Sequence, residues 1–168
     1  MKILATFDGT TFSELIIPHL AKIAALPNAA VTLLSVAHEP DGKLRRRGRP
    51  RPITVTDAMG RGTDIVAGVT EPKFVEDKTQ AIERRMSELE DYLARVAQQL
   101  PGVSCQVEAH VSDDVAQMII DRAREEQIDV IVMATHSRNR VAQALFGSTT
   151  EAVVRAGVAP VLLVHPKA

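Results

Sequence analysis

Asp129–Val164 reads DVIVMATHSRNRVAQALFGSTTEAVVRAGVAPVLLV. It opens inside the apolar run Ile128–Met133 (IDVIVM), which is short enough to be a strand buried on both faces. A polar segment follows, and Ser148 with Glu151 then has the spacing of a capping box that starts a helix. Val161–Val164 (VLLV) is a second buried strand. Strands that are apolar throughout, separated by a helix, belong to a parallel sheet covered on both sides.

The rest of the chain repeats this grammar. Lys2–Phe7 (KILATF) is an apolar strand stopped by the turn pair Asp8-Gly9. Thr11 and Glu14 match a capping box, and Ile16, Ile17, Leu20, Ile23 and Ala24 recur at helical spacing. Pro18 falls inside this helix and predicts a kink or an irregular turn there. Val31–Ala37 (VTLLSVA) is the next strand. Ile82, Met86, Leu89, Leu93, Val96 and Leu100 form one apolar helical stripe, stopped by Pro101-Gly102. Val103–Val111 reads as a third strand, and Val115, Met118, Ile119 and Ala123 mark another helix. The order β-α-β-α-β-α-β-α-β predicts an α/β fold: a doubly wound, five-stranded parallel sheet with helices on both faces.

Pro40 to Lys73 breaks the pattern. It is rich in Pro, Gly and Arg and has no sustained apolar period, so a mobile insertion is expected at about 40–73 within a single domain spanning 1–168. Lys43–Pro52 packs six positive charges into ten residues. Such a block reads first as a solvated loop, and as a contact for phosphates, RNA or an acidic partner second.

Bulk properties exclude several classes. The 168 residues are 45% hydrophobic and 24% charged with a net charge of −1, which gives no general attraction to nucleic acid or anionic membrane. Cys105 is the lone cysteine, so no intrachain disulfide forms, and it reads as a small residue packed in a strand. Met1–Phe7 is too short an apolar stretch for a signal peptide, and no apolar run approaches a membrane span; the expected address is the cytoplasm. No His or Cys pair has metal-ligand spacing, and neither a nucleophile elbow nor a P-loop is present. No catalytic residue and no metal ligand is assigned, and turnover beyond slow hydrolysis is not expected.

In doubly wound sheets ligands bind beyond the carboxyl ends of the strands, where strand order reverses. Two segments have suitable composition there: Thr6–Thr11, and Ala134–Arg138 leading to Gly147-Ser148-Thr149-Thr150. Gly147 permits close backbone approach, and the start of the following helix, with the hydroxyls of Ser148 and Thr149, makes a cradle for phosphate or simply a well-capped helix. Asp8 suits either a ribose hydroxyl or a turn. His136 is read as a loop residue within reach of a phosphate.

Asp8-Gly9-Thr10 and the MATHS…GSTTEAVVRAGVAPVLLV tail resemble the universal stress protein family. The resemblance covers nearly the whole chain outside the 40–73 insertion. It implies a Rossmann-like sheet of the adenine nucleotide alpha hydrolase type, ATP as ligand with Mg²⁺ held by its phosphates, and a regulatory role in the stress response. It also implies a homodimer formed through the last strand, Val161–Val164. ATP-binding members carry Gly, two residues, Gly, nine residues, then Gly with Ser or Thr. That spacing falls here on Ala134, Ser137 and Gly147-Ser148, so two of the three glycines are replaced. By this resemblance Thr6, Asp8 and Val36 lie near adenine and ribose. Met133, Ala134, Ser137, Gly147, Ser148 and Thr149 lie around ribose and phosphates. The family also has members without the motif, and the alternative is a dimeric interaction module of the same fold that binds no nucleotide. A phosphoacceptor domain shares the sheet, but needs an acidic acceptor ending the third strand, where this chain has His110 and, beyond it, Asp113-Asp114.

Overall fold

The structure, a computed structural model, describes residues 1–40, 53–56, 62–65, 77–135 and 147–165. Seven strands and four α-helices follow one another: β1 Lys2–Phe7, α1 Ile17–Ala24, β2 Ala30–Ala37, β3 Ile53–Thr56, β4 Gly62–Ile65, α2 Lys78–Gln98, β5 Cys105–Val111, α3 Val115–Glu125, β6 Val130–Ala134, α4 Ser148–Ala156 and β7 Val161–Val164. Five of the strands form the expected parallel sheet, in the order β5-β2-β1-β6-β7. The chain thus winds outward from β1 to one edge, returns, and winds to the other. β1 and β6 sit side by side with Ile3 opposite Val130, which fixes the switch point between them.

Alternation along each strand feeds two cores. Ile3, Ala5 and Phe7 of β1 join Leu33 and Val132 in the cluster that also holds Ile16 from the turn before α1, Leu20 from α1, and Leu93 and Val96 from α2. Leu4, Leu34, Ile131 and Met133 point the other way, into a cluster with Ile119, Ile120 and Val153 from α3 and α4. Central strands therefore carry apolar residues toward both faces, because both are covered. The helical stripe read along 82–100 is buried from Leu89 onward, while Ile82 and Met86 are only partly covered.

Local signals were resolved in ways that spacing did not fix. The Thr11–Glu14 capping box does not form. Instead the backbone N–H of Ser13 donates to the carbonyl of Thr10 (3.1 Å), and Ser13–Ile16 makes a 3₁₀ turn that runs into α1. Pro18 stands at the second position of α1, where a missing N–H leaves no partner unpaired, so the irregular turn precedes it. Helix α2 has a capping box that the sequence reading passed over. The Asp77 carboxylate accepts from Gln80 N (2.8 Å), while the Gln80 side chain accepts from Asp77 N (3.2 Å).

Within the 40–73 segment, β3 and β4 pair antiparallel, from Ile53 opposite Ile65 to Thr56 opposite Gly62. Four-residue strands are too short for an apolar period to register. The basic block Lys43–Pro52, including Arg45–Arg51, lies outside the described residues. At the borders of the insertion, Lys78 at the start of α2 pairs with Glu39 beyond β2, and that carboxylate raises the lysine pKa.

Candidate nucleotide cleft at the switch point

The loop after β1 is built on a turn. Gly9 has φ +80°, a conformation that side-chain-bearing residues rarely adopt, which is why Asp-Gly stands here. The chain then doubles back. Asp8 Oδ1 accepts from both the backbone N–H of Thr10 (2.9 Å) and its hydroxyl (2.6 Å). The two readings of Asp8 are therefore compatible, since one oxygen serves the turn and Oδ2 has no hydrogen-bond partner among the described residues. Buried Ser13 closes the loop by donating its hydroxyl to the carbonyl of Thr10 (2.8 Å).

On the other side of the switch point, helix α4 begins without a side-chain cap from any described residue. The expected Ser148–Glu151 box is not made. Gly147 is the capping residue, its carbonyl accepting from Glu151 N (2.9 Å), and this places Ser148 one position too late to cap. The Glu151 carboxylate turns instead to Arg155 one turn on (2.6 Å). Two consequences follow. First-turn N–H groups of α4 keep their hydrogen-bonding capacity, and the Ser148 and Thr149 hydroxyls are not spent on the helix. Gly147 itself has φ −67° and ψ 158°, which any residue adopts. A β-carbon there would meet no described atom within 4 Å. Neither its backbone angles nor the described surroundings require glycine.

Between these two loops lies a cleft of about 250 Å³. Thr6, Asp8, Val36, Met133, Ala134, Gly147, Ser148 and Thr149, all singled out from the sequence, line it together. Ser137 and His136 lie outside the described residues. Phe7 and Thr150, inside the two segments read from the sequence, also line the cleft, as do Ser13, Leu34, Val115 and Ile119, which were not anticipated. Leu34, Val115 and Ile119 read as ordinary core in their elements; only the sheet order brings them to the same wall. The described walls are apolar at β2, α3 and β6, and polar at the two loops.

Elsewhere, of the acidic pair after β5, Asp114 serves structure. Asp114 caps α3 by accepting from Gln117 N (2.9 Å). Cys105 is partly buried against the first core cluster, and that burial raises its thiol pKa. Among the described residues no group of three His, Cys, Asp or Glu could hold a metal ion, and no helix is long and apolar enough to cross a membrane.

Comparison with known proteins places this architecture. The sequence model of the Universal stress protein family matches residues 1–165. Stress response protein NhaX of Bacillus subtilis is 30% identical over 174 residues, covering 97% of this chain and 96% of that protein. The solved structure of MJ0577 from Methanocaldococcus jannaschii superposes with a TM-score of 0.68 at 21% identity, covering 99% and 96% of the two chains. A universal stress protein solved in complex with cAMP superposes with a TM-score of 0.59 at 16% identity, covering 99% and 98%.

Proposed function

The chain belongs to the universal stress protein family, and from that premise we propose that it binds an adenine nucleotide, ATP, in the switch-point cleft and acts as a regulatory protein of the stress response. The observation that carries this reading is the start of α4, which no described side chain caps and which opens into the cleft beside the Asp8 loop. Oriented N–H groups with spare hydroxyls at a helix start suit a phosphate. The residues present fit such a ligand. The apolar wall of Leu34, Val36, Ile119 and Met133 suits a flat base. Thr6 and the second oxygen of Asp8 suit ribose hydroxyls. Ala134, Gly147, Ser148 and Thr149 receive the phosphates, with Ser137 joining them as the family pattern implies. Mg²⁺ accompanying the nucleotide would be held by its phosphate oxygens, as the family resemblance implies. A neighbour of the same fold solved with cAMP supports an adenine ligand.

The test is a calorimetric titration of the full chain with Mg-ATP, with Mg-GTP as control. Saturable heat with ATP and none with GTP is expected. Absence of heat at millimolar ATP would refute the reading and favour the alternative, a dimeric interaction module that keeps the cleft only as structure.

Assembly follows from the sheet edge. Among the described residues strand β7 pairs on one side only, and Leu162 on it is 36% exposed. An apolar, unpaired edge invites a second copy, so a homodimer through Val161–Val164 belongs to the proposal. Leu162→Lys is expected to yield monomers in light scattering; an unchanged mass would place the interface elsewhere or remove it.

A further inference from the structure

Tyr92 lies on α2, outside the cleft lining, yet it touches two residues that line it. Its ring meets Phe7 edge-on, centroids 6.4 Å apart at 70°, and its hydroxyl lies 3.4 Å from Ser13 Oγ. The direction of that second contact can be worked out. Ser13 has one hydroxyl proton and gives it to the Thr10 carbonyl at 2.8 Å. Its oxygen therefore accepts, from the Tyr92 phenol and from the backbone N–H of Asp8 (3.4 Å). Burial pushes the phenol pKa up, so Tyr92 carries its proton at neutral pH.

Ser13 is thus a node that joins the turn carrying Asp8 to a helix 79 residues further along the chain. A phenylalanine at position 92 would pack on Phe7 and the neighbouring core as well as tyrosine does. What the hydroxyl adds is the link to Ser13, together with an interaction with the Glu14 carboxylate of the same turn. We infer that Tyr92 is a positioning residue of the cleft: through Ser13 it holds the Asp8–Ser13 turn in the shape that presents Asp8 Oδ2 to a ligand. Its effect on affinity rests on the nucleotide reading above, whereas its effect on the turn does not.

Tyr92→Phe keeps the ring, so folding is retained, and the comparison set is wild type, Tyr92→Phe, Ser13→Ala and the double variant. In nucleotide-free protein, amide hydrogen exchange at Asp8, Thr10 and Ser13 is expected to quicken about two- to tenfold in Tyr92→Phe, the range for one net hydrogen bond. Amides of α2 around Leu93 and Val96 stay unchanged. The dissociation constant for Mg-ATP rises by a similar factor, and that rise disappears when Ser13 is already alanine. Equal loop exchange and equal affinity in wild type and Tyr92→Phe would overturn the inference. A rise in the constant that persists undiminished in the Ser13→Ala background would also overturn it, because the route would not be Ser13. Should wild type bind no ATP, quickened exchange upholds the positioning of the turn and removes only the nucleotide reading; unchanged exchange removes both.

Discussion

Replacing Gly147 by valine separates a glycine needed by the fold from one needed by a ligand. The residue sits at φ −67° and ψ 158°, extended backbone that valine favours. A β-carbon there contacts no described atom within 4 Å. Capping preference declines modestly, and the unfolded chain loses some freedom, so the two effects oppose each other and leave the ligand-free stability within about 1 kcal/mol. For a chain of this size that is a melting shift of roughly 2–4 °C. The ligand-bound state should respond very differently. Valine places a β-carbon and two methyls at the edge of a cleft of about 250 Å³, over the first turn of α4. Losing one or two charge-assisted hydrogen bonds from that turn costs about 1.5–3 kcal/mol each, or on the order of a hundredfold in affinity. At a hundred times the wild-type dissociation constant, Mg-ATP stabilises the wild type by about 2.7 kcal/mol, roughly 5–10 °C. The variant at the same concentration gains only ~0.4 kcal/mol, near one degree. Differential scanning fluorimetry with and without nucleotide reads both numbers. A variant that keeps the full nucleotide shift would refute the placement of the phosphates. A ligand-free melting point lowered by more than ten degrees would show that the glycine serves the fold.

Other residues test the architecture. Leu93 is fully buried between α2 and the sheet, and Leu93→Ala is expected to cost about 2–5 kcal/mol in urea unfolding; a loss below 1 kcal/mol would contradict its place in the core. Arg122 on α3 grips Glu108 of β5 with two hydrogen bonds, of 2.9 and 2.6 Å, and also reaches Glu126. Arg122→Met should cost about 1–3 kcal/mol by stranding a mostly covered carboxylate, and adding Glu108→Gln should recover part of it. Cys105 has its pKa raised by burial, so alkylation in the native state should lag behind that in urea at the same pH. The sign for stability follows: the neutral thiol's contribution is complete below the unfolded pKa and is lost as pH rises through the folded one. Equal alkylation rates in both states would refute the burial.

Much of this was legible one element at a time. The runs at Lys2–Phe7, Val31–Ala37 and Ile128–Met133 are mostly apolar, and in the structure they fall on β1, β2 and β6, strands with a core on either side, although β6 starts only at Val130. The stripe from Leu89 to Leu100 steps at helical spacing, and it is the buried side of α2 and its end. Side-chain burial follows the local period of the backbone, so a period in the residues carries to the element directly. Caps were less legible. Thr11–Glu14 and Ser148–Glu151 both have the right residues at the right interval, yet neither box forms, while Asp77–Gln80 does. Several residues near a helix start can satisfy its free N–H groups, and the approach of the preceding chain selects among them.

The cleft divides along the same line. Asp8, Val36, Met133 and Gly147 are visible as ends of strands and starts of helices, because turn chemistry and glycine are written locally. That Leu34, Val115 and Ile119 form a wall with them depends on β1 lying between β2 and β6, a pairing across more than a hundred residues of chain. Tyr92 shows the limit most plainly. In sequence it is a tyrosine beside the apolar stripe of a helix, and its meeting with Ser13 exists only once α2 lies across the first loop. Local periodicity and turn chemistry specify which elements form and which faces they bury. Which ends of those elements meet is set by long-range strand pairing and helix packing, whose free energy appears only when distant segments come together.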